Sequence, residues 1–219
     1  HYRDRFNLLT RDWERARAYK RGELFAIFDG IGSYADVAAV QSMALHLRRF
    51  YTAGHLFSPD WTGVKVLLEQ GNALAQDTFS PQPHPAGNSG GCCGTVAYIH
   101  GRTLYLFQTG HTCAMVIRNH TPYFKTRLHH YTPDHQSAFF GKTGSLSFDL
   151  RKIDLIVGDR VLLFTRSVSD HLTEQEMVAC VQQTPACRDT APELVFHARQ
   201  KGARDDVTAV VVDIKEIWQ

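Results

Sequence analysis

No stretch of the 219-residue chain approaches eighteen consecutive apolar residues, so it contains no candidate membrane-spanning helix. Charge of one sign is lacking too: 24 basic and 22 acidic side chains leave a formal charge of +2, without the basic excess expected of a nucleic-acid binder. The first thirty residues are studded with charge, which argues against a secretory leader and leads to the expectation of a soluble chain. Cysteine is sparse and odd in number: of the five, Cys92 and Cys93 are adjacent, and Cys113, Cys180 and Cys187 lack zinc-ribbon spacing. A disulfide framework is therefore not expected, and reduced thiols in a cytoplasmic protein are. No internal repeat or linker divides the chain. What is present is enough apolar material, 43%, to fill the core of a single domain spanning 1–219.

The periodicities alternate between strand and helix. Glu23 to Phe28 reads as a short buried strand running into an Asp29-Gly30 turn. Val37, Val40, Ala44, Leu47 and Phe50 recur at helical spacing, and so do Trp61, Val64, Leu67, Leu68, Leu74 and Ala75, with Pro59 suiting a first helical position and Gly71 as a weak point. Ser80 to Gly91, with three prolines and three glycines, predicts a loop. Thr95–Ile99, Arg102–Thr109, Cys113–Arg118 and Pro122–Lys125 predict an antiparallel meander, followed by strands over Ile153–Val157 and Val161–Thr165. Thr173 with Glu176 and Thr190 with Glu193 read as capping boxes opening two helices, the second closed by Gly202. Val207 to Ile214 reads as a buried strand.

Asp29, beside Gly30 and Gly32, ends one strand, and Asp205 and Asp206 precede another. Carboxylates at strand ends can share a hard divalent cation, although aspartates in such places are more often turn formers. The twelve histidines include no helical pair with an adjacent glutamate, so surface and core roles suffice for them. Gly87 to Gly94 lacks the Lys-Ser/Thr of a phosphate loop, Cys92-Cys93 read as buried thiols, and Arg15 to Arg21 reads as a solvated face or loop.

Six segments taken in order resemble one family. Asp4-Arg5-Phe6, Phe25-Ala26-Ile27-Phe28-Asp29-Gly30-Ile31-Gly32, Gly94-Thr95-Val96-Ala97 with Gly110-His111-Thr112, Thr132-Pro133-Asp134-His135, Gly158-Asp159 through Ser169-Asp170, and Asp205-Asp206-Val207-Thr208 are similar to the motifs of the PP2C-type metal-dependent serine/threonine phosphatases. The resemblance implies an α+β fold: an α-β-β-α sandwich of two antiparallel sheets flanked by helices. It also implies a dinuclear Mg²⁺ or Mn²⁺ site whose bridging water attacks a phosphoserine or phosphothreonine. By the same resemblance Asp29 bridges both ions, Gly30 offers its carbonyl, Asp205 holds the other ion, and Asp4 supports the second ion indirectly.

Several positions depart from the family. Seven residues after Asp159, Arg166 stands where the family has a metal-binding aspartate, and Asp170, three before the capping Thr173, keeps the place of a later one. A unit charge pair about 4 Å apart is worth roughly 4 kcal/mol at an effective dielectric near 20, so a guanidinium beside a divalent ion opposes occupancy strongly. Arginine cannot shed its proton to escape this. Ile31 replaces the family's histidine, and an aliphatic group transfers no proton. His111 replaces an aspartate that, with Asp170 and the position of Arg166, forms a third metal site in some members; Arg3 also departs. Only 23 residues separate His135 from Asp159, so a shortened flap is expected.

The leading expectation is a pseudophosphatase with impaired metal binding that acts as a binding or regulatory domain, with Arg166 salt-bridged to Asp29 and Asp205 in place of a cation. The alternative is an active, low-turnover phosphatase with Mg²⁺ or Mn²⁺ at a rearranged site that draws on Asp206 and His111. A third reading has Arg166 gripping a phosphopeptide. The expected partner is a phosphoprotein or regulatory protein of a monomeric chain, with no nucleic acid and no membrane involved.

Overall fold

The structure, a computed structural model, describes residues 21–31, 35–79, 91–129, 139–141 and 146–217. The expectations for Asp4, for Thr132 to His135 and for most of the Ser80–Gly91 loop lie outside these residues. Among the described residues, eight strands form two antiparallel sheets: β1 Glu23–Ile31, β2 Gly91–His100, β3 Thr103–Thr109 and β6 Asp149–Asp154 in the order β1-β2-β3-β6, and β4 Cys113–Arg118, β5 Thr121–Lys125, β7 Arg160–Phe164 and β8 Ala209–Asp213 in the order β5-β4-β7-β8. The helices are α1 Ala35–Thr52, α2 Trp61–Phe79, α3 Arg166–His171, α4 Glu174–Gln183 and α5 Cys187–Gln200.

Alternation of side chains along each strand produces three apolar layers. Ala97, Leu104, Leu106, Ala114, Val116, Val161 and Leu163 fill the space between the sheets. Val96, Tyr98 and Phe107 face α1 and α2, where Ala39, Met43, Leu47, Phe50, Leu67 and Leu68 meet them. Met115, Leu162 and Phe164 face the other way, onto Val168, Met177, Val181 and Leu194 of α3 to α5. The result is the expected α-β-β-α sandwich.

Local expectations are corrected in instructive ways. β1 does not turn at Asp29 but runs on to Ile31, pairing Asp29 with Cys93 and Gly30 with Cys92. The meander is broken, since β3 and β4 belong to different sheets and Gly110-His111-Thr112 is a corner between them. The same holds for β6 and β7 on either side of Gly158-Asp159. On α1 the buried face is Ala39, Met43, Leu47 and Phe50, while Val37 is 60% exposed. Gly71 is a contact point in α2, because a Cβ there would lie 2.9 Å from Met43 Sδ of α1. α2 starts at Trp61, two residues after Pro59, with Asp60 Oδ1 accepting the Thr62 N–H at 2.8 Å.

The Thr173–Glu176 capping box is formed in full. Thr190 is inside α5 instead of at its start; the helix begins after Ala186, and the Thr190 hydroxyl donates to the Thr184 and Ala186 carbonyls. Gly202 does close that helix, its N–H returning to the Arg199 carbonyl. Arg21 is no solvated residue: it donates to the Gly54 and Phe57 carbonyls at 2.7 and 3.1 Å and lies over the Phe50 ring. β8 is an edge strand and only half-buried. The five cysteines are free thiols, and no helix among the described residues is long and apolar enough to cross a membrane.

Candidate metal centre

One end of the sandwich gathers most of the residues singled out from the sequence. Phe25 and Ile27 of β1 pack into the layer between the sheets, so Asp29, two residues further along, sits on the same side at the end of the strand. A ladder position fixes it more firmly than the turn expected from the sequence. On the opposing sheet, the end of β7 is latched to the loop before β8. The Thr165 N–H donates to the Thr208 carbonyl at 3.1 Å, the Thr208 N–H returns to Thr165 Oγ1 at 3.1 Å, and the Thr165 hydroxyl reaches the Asp206 carbonyl at 3.3 Å. Thr165 was not singled out from the sequence; a buried threonine between a β-branched strand and a helix start is the signal that could have found it.

This latch brings Asp205 and Asp206 within electrostatic reach of Asp29. Burial, then the charges of Asp205 and Asp206, push the Asp29 carboxyl up to about 6. Asp205 Oδ1 also accepts the Asp206 N–H at 2.9 Å, which fixes that loop locally. Beneath Asp29 the Cys93 thiol is pushed up to about 12, chiefly by burial, while the backbone N–H of His111 partly counteracts the shift. The neighbouring Cys92 thiol is raised still further by burial. Both are inert protonated thiols at neutral pH. The contact of His111 with Cys93 sets the β3–β4 corner beside the strand bearing Asp29. Ile31, the last residue of β1, pairs with Gly91.

Arg166 follows Thr165 directly and is the first residue of α3, so its backbone belongs to this end of the molecule. Its side chain does not make the expected bridge to Asp29 and Asp205. Nε donates to Asp170 Oδ2 at 2.9 Å, with the two side chains 54% and 44% exposed. The physical reason is helical spacing: four residues on, Asp170 lies on the same face of α3 and offers a carboxylate at little conformational cost. The same pairing occupies the carboxylate expected to support a third ion. Asp29, Asp205 and Asp206 consequently repel one another instead of being neutralised by Arg166.

The donor chemistry can be weighed against a pair of divalent ions. Asp29, the Gly30 carbonyl and Asp205 are hard oxygen donors of the right kind. Among the described residues, however, no three His, Cys, Asp or Glu side chains converge into a group that would hold an ion, and the nearest residue of α3, Arg166, carries a cation instead of a donor. The described residues therefore do not fit a dinuclear centre.

Solved structures with the same architecture include the serine/threonine phosphatase PstP of Mycobacterium tuberculosis, at 21% identity, TM-score 0.73 and coverage of 88% of both chains. The PstP catalytic domain with two manganese ions matches at 21% identity, TM-score 0.76 and the same coverage. The phosphatase MsPP of Mycobacterium smegmatis, solved with cacodylate, matches at 20% identity, TM-score 0.74 and 88% of both chains. No curated protein matches the chain. The profile of protein phosphatase 2C matches residues 5–138, more than half of the sequence, and the chain belongs to that family.

Proposed function

We propose that this chain is a regulatory or binding domain built on the phosphatase 2C fold, with impaired metal binding and hydrolysis lost or reduced to a trace. The observation that carries the reading is Arg166: a permanent cation at the place of a metal-binding acid, satisfied by Asp170. Ile31, which cannot donate a proton to a leaving oxygen, supports it. The partner class that fits is a phosphoprotein or a regulatory protein. Calorimetric titration of the intact chain with Mn²⁺ and Mg²⁺ tests the proposal; no saturable binding at millimolar concentration is expected. Two bound ions per chain would overturn it.

A second reading is favoured by a different observation. Because Arg166 turns to Asp170, its charge does not neutralise Asp29, Asp205 and Asp206, and their joint negative potential would favour a single hard cation held by Asp29 and the Gly30 carbonyl without a third carboxylate ligand. Such a site would support slow hydrolysis of phosphoserine or phosphothreonine. Phosphate release from a phosphothreonine peptide, dependent on Mn²⁺ and abolished in Asp29→Asn, would establish this reading over the first.

A further inference from the structure

The two sheets leave a cleft of about 390 Å³ at the edge where β6 and β5 face each other, across the sandwich from the β1 and β8 edge that carries Asp29. Its floor is apolar: Leu106 belongs to the layer between the sheets and Phe124 packs against that layer. Its rim is basic, with Lys125, Arg127 and Arg151 against the single acid Asp149. Lys125 is engaged by Glu174 at 3.1 Å. Asp149 is shared between His129 Nε2 at 3.6 Å and Arg151 Nη2 at 3.7 Å, so its charge is offset locally. Arg127 has no acidic partner among the described residues, is exposed, and lines the cleft.

A second observation concerns the wall. Gln108 is 2% exposed, and its amide group donates to the Thr112 and Arg127 carbonyls, both at 2.8 Å. Its side-chain oxygen has no hydrogen-bond partner among the described residues. A buried acceptor left without a donor is uncommon in a finished core and marks a wall with polar capacity to spare.

We propose that this cleft binds a small organic anion with an apolar body, the charged end held by Arg127 and Arg151 and the body laid on Leu106 and Phe124. The volume lies within the range of small-molecule sites, and the combination of apolar floor and few convergent polar groups is their usual make-up. Guanidinium groups recognise phosphonate or carboxylate oxygens through paired N–H donors. The site is independent of the Asp29 cluster and of any metal.

The test is a titration of the isotope-labelled chain in EDTA with phenylphosphonate and, separately, phenylacetate, followed by amide NMR. Saturable shifts centred on residues 106–108, 124–127 and 149–151 are expected for at least one of them. The exposed pair Arg127→Ala with Arg151→Ala is expected to weaken binding at least tenfold with an unchanged unfolding midpoint, and Asp29→Asn to leave binding unaltered. Inorganic phosphate, which lacks the apolar body, should bind at least tenfold more weakly than phenylphosphonate. The proposal is overturned if neither probe saturates at millimolar concentration, if the shifts centre on Asp29 and Asp205, or if inorganic phosphate binds as well as both organic anions.

Discussion

Replacing Arg166 with aspartate should raise Mn²⁺ affinity by about thirtyfold or more, from the charge arithmetic of the site. A carboxylate about 4 Å from a divalent ion gains roughly 8 kcal/mol at an effective dielectric near 20 and about 2 kcal/mol in bulk water. Position 166 is 54% exposed, so the water limit is the appropriate floor, and about 2 kcal/mol corresponds to about thirtyfold in Kd. Deleting the guanidinium alone should do little. It is already paired with Asp170 at 2.9 Å, and Arg166→Ala is expected to change affinity by less than about threefold. The loss of the exposed pair should cost the fold less than about 0.5 kcal/mol. Calorimetric titration of wild type and Arg166→Ala sets lower limits on their Kd, against which the affinity measured for Arg166→Asp is compared. If Arg166→Asp binds Mn²⁺ no better than wild type, position 166 does not face the Asp29 cluster and the account of impaired metal binding fails.

Three further outcomes are expected. Asp159 is 1% exposed and takes two hydrogen bonds from Arg118, at 2.8 and 2.7 Å, plus the Ile156 N–H, so Asp159→Asn should lower stability by about 2–4 kcal/mol in urea unfolding. A Cβ at position 94 would lie 2.6 Å from Phe28 Cδ1 and 2.8 Å from Phe140 Cε2; Gly94→Ala should therefore cost about 1–3 kcal/mol, read from the same unfolding curves. The Glu176 carboxyl is held down to about 2 by Lys201, then by the Thr173 backbone N–H and hydroxyl. Its contribution is thus fully present above about 4.5 and lost as pH falls toward 2, so thermal midpoints of wild type and Glu176→Gln should differ at neutral pH and converge near pH 2.

Strand and helix positions were largely legible in the sequence, because β-branched runs and capping residues act locally. Which sheet each strand joins was not. Gly110-His111-Thr112 carries the chemistry of a tight turn, but a turn reverses the chain in the same way whether the next strand pairs back or crosses to a second sheet. Strands buried on both faces, such as Cys113–Arg118, also lack the alternation that would reveal which side faces which layer. Thr190 with Glu193 shows the complementary failure: the spacing of a capping box was present, yet the carbonyls of Thr184 and Ala186 claimed the hydroxyl. At the site, the resemblance pointed to Asp29, Asp205 and Arg166, whereas the direction of the Arg166 side chain depended on the competition between distant carboxylates and the near one at Asp170.

The motif residues fall into two physical classes, those that hold the sandwich together and those that the fold does not need. Asp159, within the Gly158-Asp159 motif, is consumed by Arg118 and by backbone bonds, its carbonyl accepting the Ile214 N–H at 2.9 Å while the Gly158 N–H donates to the Ile214 carbonyl at 2.8 Å. Thr208, in the closing motif, joins its loop to Thr165. Substituting Asp159 removes side-chain bonds that hold one strand to the next, whereas Thr208 and Gly158 contribute main-chain bonds, so both motifs report that the sandwich is intact. Among the described residues, Arg166 and Ile31 hold no comparable network: one is half-exposed and paired with a neighbour on its own helix, the other ends an edge strand. A change at these positions costs the fold little, and by the resemblance these are the places of an acid and a proton donor. The number of matching motifs is therefore a measure of architecture, and whether the chain hydrolyses a phosphoester rests on the few exposed positions at one end of the sandwich, where this sequence departs from its family.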